Sequence, residues 1–274
     1  MDEMPDVPIV LSFAGNDPTG GAGLVADIET LASMGCHCAP VITALTVQDS
    51  VNMSRFDAVE MDLLIEQARA VLEDMPVSCF KIGMIGSEEA AVAIHSILMD
   101  YPGIPVVLDP ILRAGGGTQM ADEDLVEAMV ELLFPLTTVL TPNSLEARRL
   151  AHEADTLDAC AHELLDMGCE YVLLTGTHET TPEVVNTLYG NNRLMEKFSW
   201  GRLAESYHGS GCTLASAIAG MLAHGVEPFA AIHDAQDFTW QSLKNGYRLG
   251  MGQHMPNRFF WARGEDDGES KPTE

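Results

Sequence analysis

VPIVLSFAGNDPTGGAGLVADIETLASMG, residues 7–35, holds three elements in a fixed order. Val7 to Phe13 is a continuous apolar run of strand length, and AGNDPTGGAG at 14–23 interrupts it. Leu24, Ile28, Leu31 and Met34 then recur at three- and four-residue spacing, which predicts a helix that Gly35 closes as a C-cap. A strand, a glycine loop and a helix form half of a parallel βαβ unit. The glycines stand at 15, 20, 21 and 23, so the G-x-G-x-x-G spacing of a dinucleotide site is missing. Asp17-Pro18 with the glycine cluster predicts a turn that brings backbone close to a small ligand. Asp27 falls near the first helical turn, either beside that ligand loop or as a solvated helix residue, and position alone favours the second.

The pattern repeats outward from this unit. Apolar strands are expected at 39–46, 78–85, 105–108, 138–140 and 171–174, with helices at 58–75, 87–99, 121–133 and 156–167 between them. Such alternation predicts a mainly parallel sheet covered on both faces by helices. Segments 184–189 and 193–198, joined by Gly190-Asn191-Asn192, read as a hairpin that adds antiparallel strands at one edge. Two helices, 212–224 and 228–248, close the fold, and GEDDGESKPTE at the end reads as a disordered acidic tail. No linker or repeat divides residues 1–263, which are expected to form one domain.

Several polar residues fall where strands end, the side on which ligands bind in open α/β sheets. Gln48 closes TALTVQ as either a hydrogen-bonding group or a surface turn residue. Lys81 stands inside an apolar strand, so it must pair with a carboxylate or point into a site. Asp109-Pro110 ends another strand, and RAGGGTQM at 113–120 reads as a mobile lid. Asn143 and Glu146 lie three apart at a helix start, where a Glu caps the helix or reaches a hydrated metal ion. HGSGCTLASAIAG at 208–220 places Gly209 and Gly211 before a helix whose free amides attract a phosphate or an oxyanion. The same field favours a thiolate and would make Cys212 a proton acceptor; the alternative, which a lone G-x-G-C favours, is a tight turn before a buried helix with Cys212 as a small core residue.

Of 274 residues, 14 are basic and 41 acidic, for a formal charge of −27. A chain this acidic repels nucleic acid and anionic membranes. The absence of a run of about 18 apolar residues and the acidic start MDEMPDVP lead to the expectation of a soluble cytoplasmic protein. The six cysteines lack C-x-x-C spacing, and most are expected to be buried thiols.

The ordered set SFAGNDPTGGAGLVADIETLASMG, VITALTVQ, KIGMIGS, VVLDPI, LTPNSLEA and HGSGCTLASAIA resembles the hydroxymethylpyrimidine/phosphomethylpyrimidine kinases of thiamine biosynthesis over about residues 8–263. That resemblance implies a three-layer α/β/α ribokinase-like fold. It implies ATP-dependent phosphorylation of 4-amino-5-hydroxymethyl-2-methylpyrimidine and then of its monophosphate, with Mg²⁺. It further implies that Gln48 recognises the aminopyrimidine beside Gly15, Ala22, Asp27 and Met84. Asn143, Thr175, His178 and Ser210 would meet the nucleotide, Glu146 and Asp109 the metal, and Gly209, Gly211 and Cys212 the transferring phosphoryl group. A homodimer is implied too. Three positions depart from the family pattern: Asn16, Ser210, and TGTH at 175–178 where KGGH is common. The last removes a positive charge that Mg²⁺ or Lys81 would have to replace. A pyridoxal/pyridoxine-type kinase and a non-catalytic pyrimidine-binding protein are the competing expectations.

Overall fold

A computed structural model describes residues 7–114 and 116–262; the acidic tail expected at 264–274 lies outside the described residues. The strands are β1 (Ile9–Asn16), β2 (His37–Gln48), β3 (Met53–Ala58), β4 (Val77–Ile82), β5 (Val106–Leu108), β6 (Val139–Leu140), β7 (Tyr171–Leu174), β8 (Glu183–Gly190) and β9 (Arg193–Gly201). They form one sheet in the order β3-β2-β1-β4-β5-β6-β7-β8-β9. β2 to β7 are mutually parallel in this order, as expected for crossovers through helices.

Helices α1 (Gly23–Ser33), α7 (Ser210–Ala223) and α8 (Pro228–Lys244) cover one face. The opposite face carries α2 (Met61–Asp74), α3 (Glu88–Asp100), α4 (Glu123–Ala128), α5 (Ser144–Leu150) and α6 (Leu157–Asp166). The strands divide their side chains accordingly. Leu11 and Phe13 of β1 join the core under α2 and α3, whereas Val10 joins the core under α1 and α7. That alternation along a strand buried on both sides is what makes three layers.

The structure changes four expectations. β3 runs antiparallel to β2, so antiparallel strands border the sheet at both edges rather than one. MSRFDA has no apolar alternation because most of it is exposed, and α2 consequently begins at Met61 rather than Ala58. The helix expected at 121–133 is α4 followed by a wider π turn over Met129–Leu133. The glycine-rich connection is tied down: Arg113 bridges Gln119, and Thr118 Oγ1 donates to the Met53 carbonyl at 2.9 Å. The hairpin turn matches its sequence, with Asn191 and Asn192 at φ 51° and 53°, the left-handed values a tight turn requires.

Candidate active site

The strand order reverses direction beside β1, between β2 and β4, and the loops leaving the carboxyl ends of the parallel strands enclose a cavity of about 460 Å³ there. α7 starts at its wall. Gly209 takes φ 80° as the N-cap, and a Cβ at this position would collide with the Gly21 carbonyl. Glycine at 209 therefore lets two loops touch and leaves the amides of Ser210, Gly211 and Cys212 unpaired at a helix start.

Two buried links hold these loops together. Asp17 accepts from Thr19 N–H (2.8 Å), Thr19 Oγ1 (2.9 Å) and Ala22 N–H (2.8 Å), and it faces His208 Nε2 at 2.8 Å. Burial alone would raise the Asp17 carboxyl, but His208 and the Thr19 donors hold it below its usual range. Arg258, buried near the chain's end, donates to the Gly21 carbonyl (2.6 Å) and Thr213 Oγ1 (3.0 Å) and pairs with Glu29 (2.9 Å). The DPTGG loop announces the first link through its Asx turn. Nothing in the sequence announces Arg258.

Gln48, Gly15, Ala22 and Met84 line one end of the cavity. A Cβ at Gly15 would stand 2.9 Å from Met84 Sδ, so Met84 closes over glycine backbone there. Asp27 is corrected on both counts. It is neither solvated nor on the cavity wall, but fully buried beneath it, accepting from Ser12 Oγ (2.6 Å) and Ser216 Oγ (2.7 Å). Both of its oxygens pair with Lys81 Nζ at 2.9 Å. Lys81 fulfils both sequence alternatives, since it has a carboxylate partner and also lines the cavity. Burial is the largest single effect and opposes its charge, but the attractions of Asp27, Cys212 and Asp109 together exceed it and hold the ammonium above its ordinary pKa.

Asn143 and Glu146 make a complete capping box at α5. The Asn143 carboxamide accepts from the amides of Leu145 (2.9 Å) and Glu146 (3.0 Å), and Glu146 Oε2 accepts from Asn143 N–H (2.9 Å). Capping does not exhaust them, because both also line the cavity, with Asp109, Thr175, His178 and Ser210. Asp109 is pushed up to about 6 by burial and by Asp27, against the opposing pull of Lys81. Glu146 is pushed up to about 8 by burial and by Asp109. Two cavity carboxyls held above their usual range, Glu146 in part by Asp109, ask for a cation. Hard oxygen donors and room for water suit Mg²⁺, and among the described residues no group of three His, Cys, Asp or Glu offers a fuller cage.

Cys212 is the second correction. Its thiol is raised to about 11, not lowered: burial comes first, Asp109 and Asp27 add to it, and the opposing pull of Lys81 and the Gly23 amide is too weak. A helix start cannot ionise a thiol that faces two buried carboxylates. At the far end of the cavity sequence reasoning missed a polar group on β8, β9 and α8. The Gln236 carbonyl accepts from Asn186 (2.9 Å) and Trp200 (3.2 Å), while Asn186 accepts from Gly176 N–H (3.1 Å). Trp200 and Trp240 pack at 6.3 Å between centroids beside it.

Residues 17–257 match the sequence model of the phosphomethylpyrimidine kinase family. The hydroxymethylpyrimidine/phosphomethylpyrimidine kinase of Rhizobium meliloti (strain 1021) is 34% identical over 251 residues, covering 89% of this chain and 94% of the relative. The thiamine biosynthesis bifunctional protein ThiED of Geobacter sulfurreducens is 35% identical over 257 residues, 92% of this chain, and the chain spans about half (52%) of that relative's length. Among solved structures, the pyridoxal kinase from Staphylococcus aureus in complex with AMP-PCP and pyridoxal superimposes with a TM-score of 0.84 at 25% identity, over 94% of this chain and 95% of that one. No helix among the described residues is long and apolar enough to cross a membrane.

Proposed function

The chain belongs to the phosphomethylpyrimidine kinase family, and from that premise we propose that it transfers the γ-phosphoryl group of ATP to 4-amino-5-hydroxymethyl-2-methylpyrimidine and then to the monophosphate. One observation carries the reading: a strand-end carboxamide, the carboxyls of Asp109 and Glu146 and an open helix start line one cavity. Gln48 both donates and accepts, as an aminopyrimidine edge requires. Gly15, Ala22 and Met84 supply the flat wall against which the ring lies. The unpaired amides at Ser210, Gly211 and Cys212 receive the negative charge of the phosphoryl group in flight. Asn143, Thr175 and His178 stand on the nucleotide side; ATP as the co-substrate is supported by the pyridoxal kinase neighbour, solved in complex with AMP-PCP, an ATP analogue.

Asp109 and Glu146 would hold Mg²⁺, which supplies charge neutralisation for the phosphates. In the ligand-free protein the Cys212 thiol stays neutral. Its largest electrostatic burden is Asp109, so compensating that carboxylate leaves Lys81 and the helix start to lower the thiol toward proton acceptance. Asp27 acts through Lys81 rather than by touching substrate.

We read the protein as a cytoplasmic homodimer. Leu45, Val47, Val51, Leu249 and Met251 are exposed, and the two loops among them are joined by Gln253 N–H to the Ser50 carbonyl at 2.9 Å. A patch of that kind marks an interface. The pyridoxal kinase likeness supports pyridoxal as a second, weaker substrate, since both substrates are flat hydroxymethyl heteroaromatics. ADP release measured with the pyrimidine, its monophosphate and pyridoxal supplied separately tests the activity and the substrate order. The expected order is pyrimidine and monophosphate well above pyridoxal; release only with pyridoxal would replace the reading, and release with none would end it.

A further inference from the structure

A chain of formal charge −27 must still hold a polyanion, so the state of each cation in the cavity decides where phosphates settle. Lys81 is committed to both oxygens of Asp27, and His208 faces the Asp17 carboxylate. Arg113 and Arg202 are not committed in this way: both line the cavity, and among the described residues no carboxylate lies within 4.0 Å of either guanidinium. Of the two, Arg202, immediately after β9, is the one whose guanidinium is held in place by hydrogen bonds.

Its bonds go to neutral acceptors instead. Nε donates to the Thr181 carbonyl (3.0 Å), Nη1 to the Thr177 carbonyl (3.0 Å) and Nη2 to the Glu179 carbonyl (2.8 Å). Three backbone carbonyls fix the plane of the guanidinium without cancelling its charge. The one acidic side chain of this loop is drawn elsewhere: Arg148 grips the Glu179 carboxylate through Nη1 (2.9 Å) and Nη2 (3.3 Å). A guanidinium carries about five N–H donors; with a longer contact from Nη2 to Thr181 Oγ1 (3.5 Å) four are engaged, and one Nη1 proton stays free. An oriented guanidinium with no carboxylate partner and a spare donor is a phosphate ligand.

We propose that Arg202 binds the phosphates of the nucleotide and, by the same three carbonyl bonds, holds the loop 177–181 in place around them. The assignment rests on the kinase reading above. It explains how the cavity manages without a free lysine, because Lys81 is neutralised at its source.

The test is a calorimetric series with ATP, ADP, AMP and adenosine on wild type, Arg202→Ala and Arg202→Lys. A charge-assisted bond to phosphate is worth about tenfold to a hundredfold in affinity, so Arg202→Ala is expected to lose that much for ATP, progressively less down the series, and less than about twofold for adenosine. Arg202→Lys, which keeps the charge but not the fork, is expected to fall between. Equal losses for ATP and adenosine would reduce Arg202 to a loop staple and overturn the assignment, as would unchanged ATP affinity in both variants. Melting temperatures near wild type establish that both variants fold. Wild-type protein that binds none of the four ligands would instead defeat the kinase reading, and the assignment with it, before any substitution is compared.

Discussion

Cys212 shows how much a single group's chemistry depends on its neighbours. Burial and the carboxylates of Asp109 and Asp27 keep the ligand-free thiol neutral, so iodoacetamide is expected to modify it slowly until the phosphate side is filled. Cys212→Ala leaves the loop amides intact, and kcat is expected to drop about a hundredfold or more while nucleotide affinity stays within about threefold. Turnover close to wild type would assign the whole reaction to the amides and the metal. Lys81 makes the complementary point. Lys81→Met strands a buried carboxylate at Asp27, and denaturant titration is expected to show a loss of about 3–5 kcal/mol, recovered in part when Asp27→Asn is added. A loss below about 1 kcal/mol would mean that Asp27 simply takes up a proton.

At the scale of one element, the start of α5 serves two purposes with the same residues. Glutamine at the third helical position still completes a capping box, so Glu146→Gln is expected to keep the helix and yet raise the Mg²⁺ concentration needed for half-maximal activity. An unchanged metal requirement would leave Glu146 a cap and nothing more. The same substitution reads out the pH dependence. The folded pKa of Glu146 is raised, so its contribution to stability is fully present below the ordinary carboxylate range and is lost as pH rises through about 8. Between pH 5 and pH 8.5, roughly the span from the unfolded to beyond the folded value, the melting temperature of ligand-free wild type is expected to fall more steeply than that of Glu146→Gln. Parallel slopes would remove the charge conflict between Glu146 and Asp109. α7 likewise depends on Gly209, whose positive φ and contact with Gly21 together set where the helix begins.

Across the whole molecule, the cavity is held shut from behind by a residue far along the chain. Arg258 joins the glycine loop after β1 and α7 through two buried contacts and α1 through a part-buried pairing with Glu29. Arg258→Ala is expected to cost about 2–4 kcal/mol, and in a chain of this size each kcal/mol lowers the melting temperature by about 2–4 °C. Pyrimidine and nucleotide KM should rise together, because both walls loosen. A shift under about 2 °C with unchanged KM values would make the strap incidental.

The parallel sheet was legible in the sequence because a strand buried on both faces is a near-continuous apolar run, and 7–13, broken only by Ser12, 105–108 and 171–174 are such runs. The loops that line the cavity were legible for a related reason, since Gly209, the Asx turn at Asp17 and the N-x-x-E of α5 are local devices whose geometry is set by residues a few positions apart. β3 escaped notice because an edge strand with an exposed surface needs no apolar pattern, only a neighbour to pair with. What the tertiary structure alone decided was charge. Asp27 looks like a surface residue until β4 brings Lys81 against it, and Cys212 looks acidic until burial and two carboxylates surround it. Hydrogen bonds within a turn are written in adjacent residues, whereas the electrostatic state of a buried group is set by partners 54 to 189 positions away in the chain.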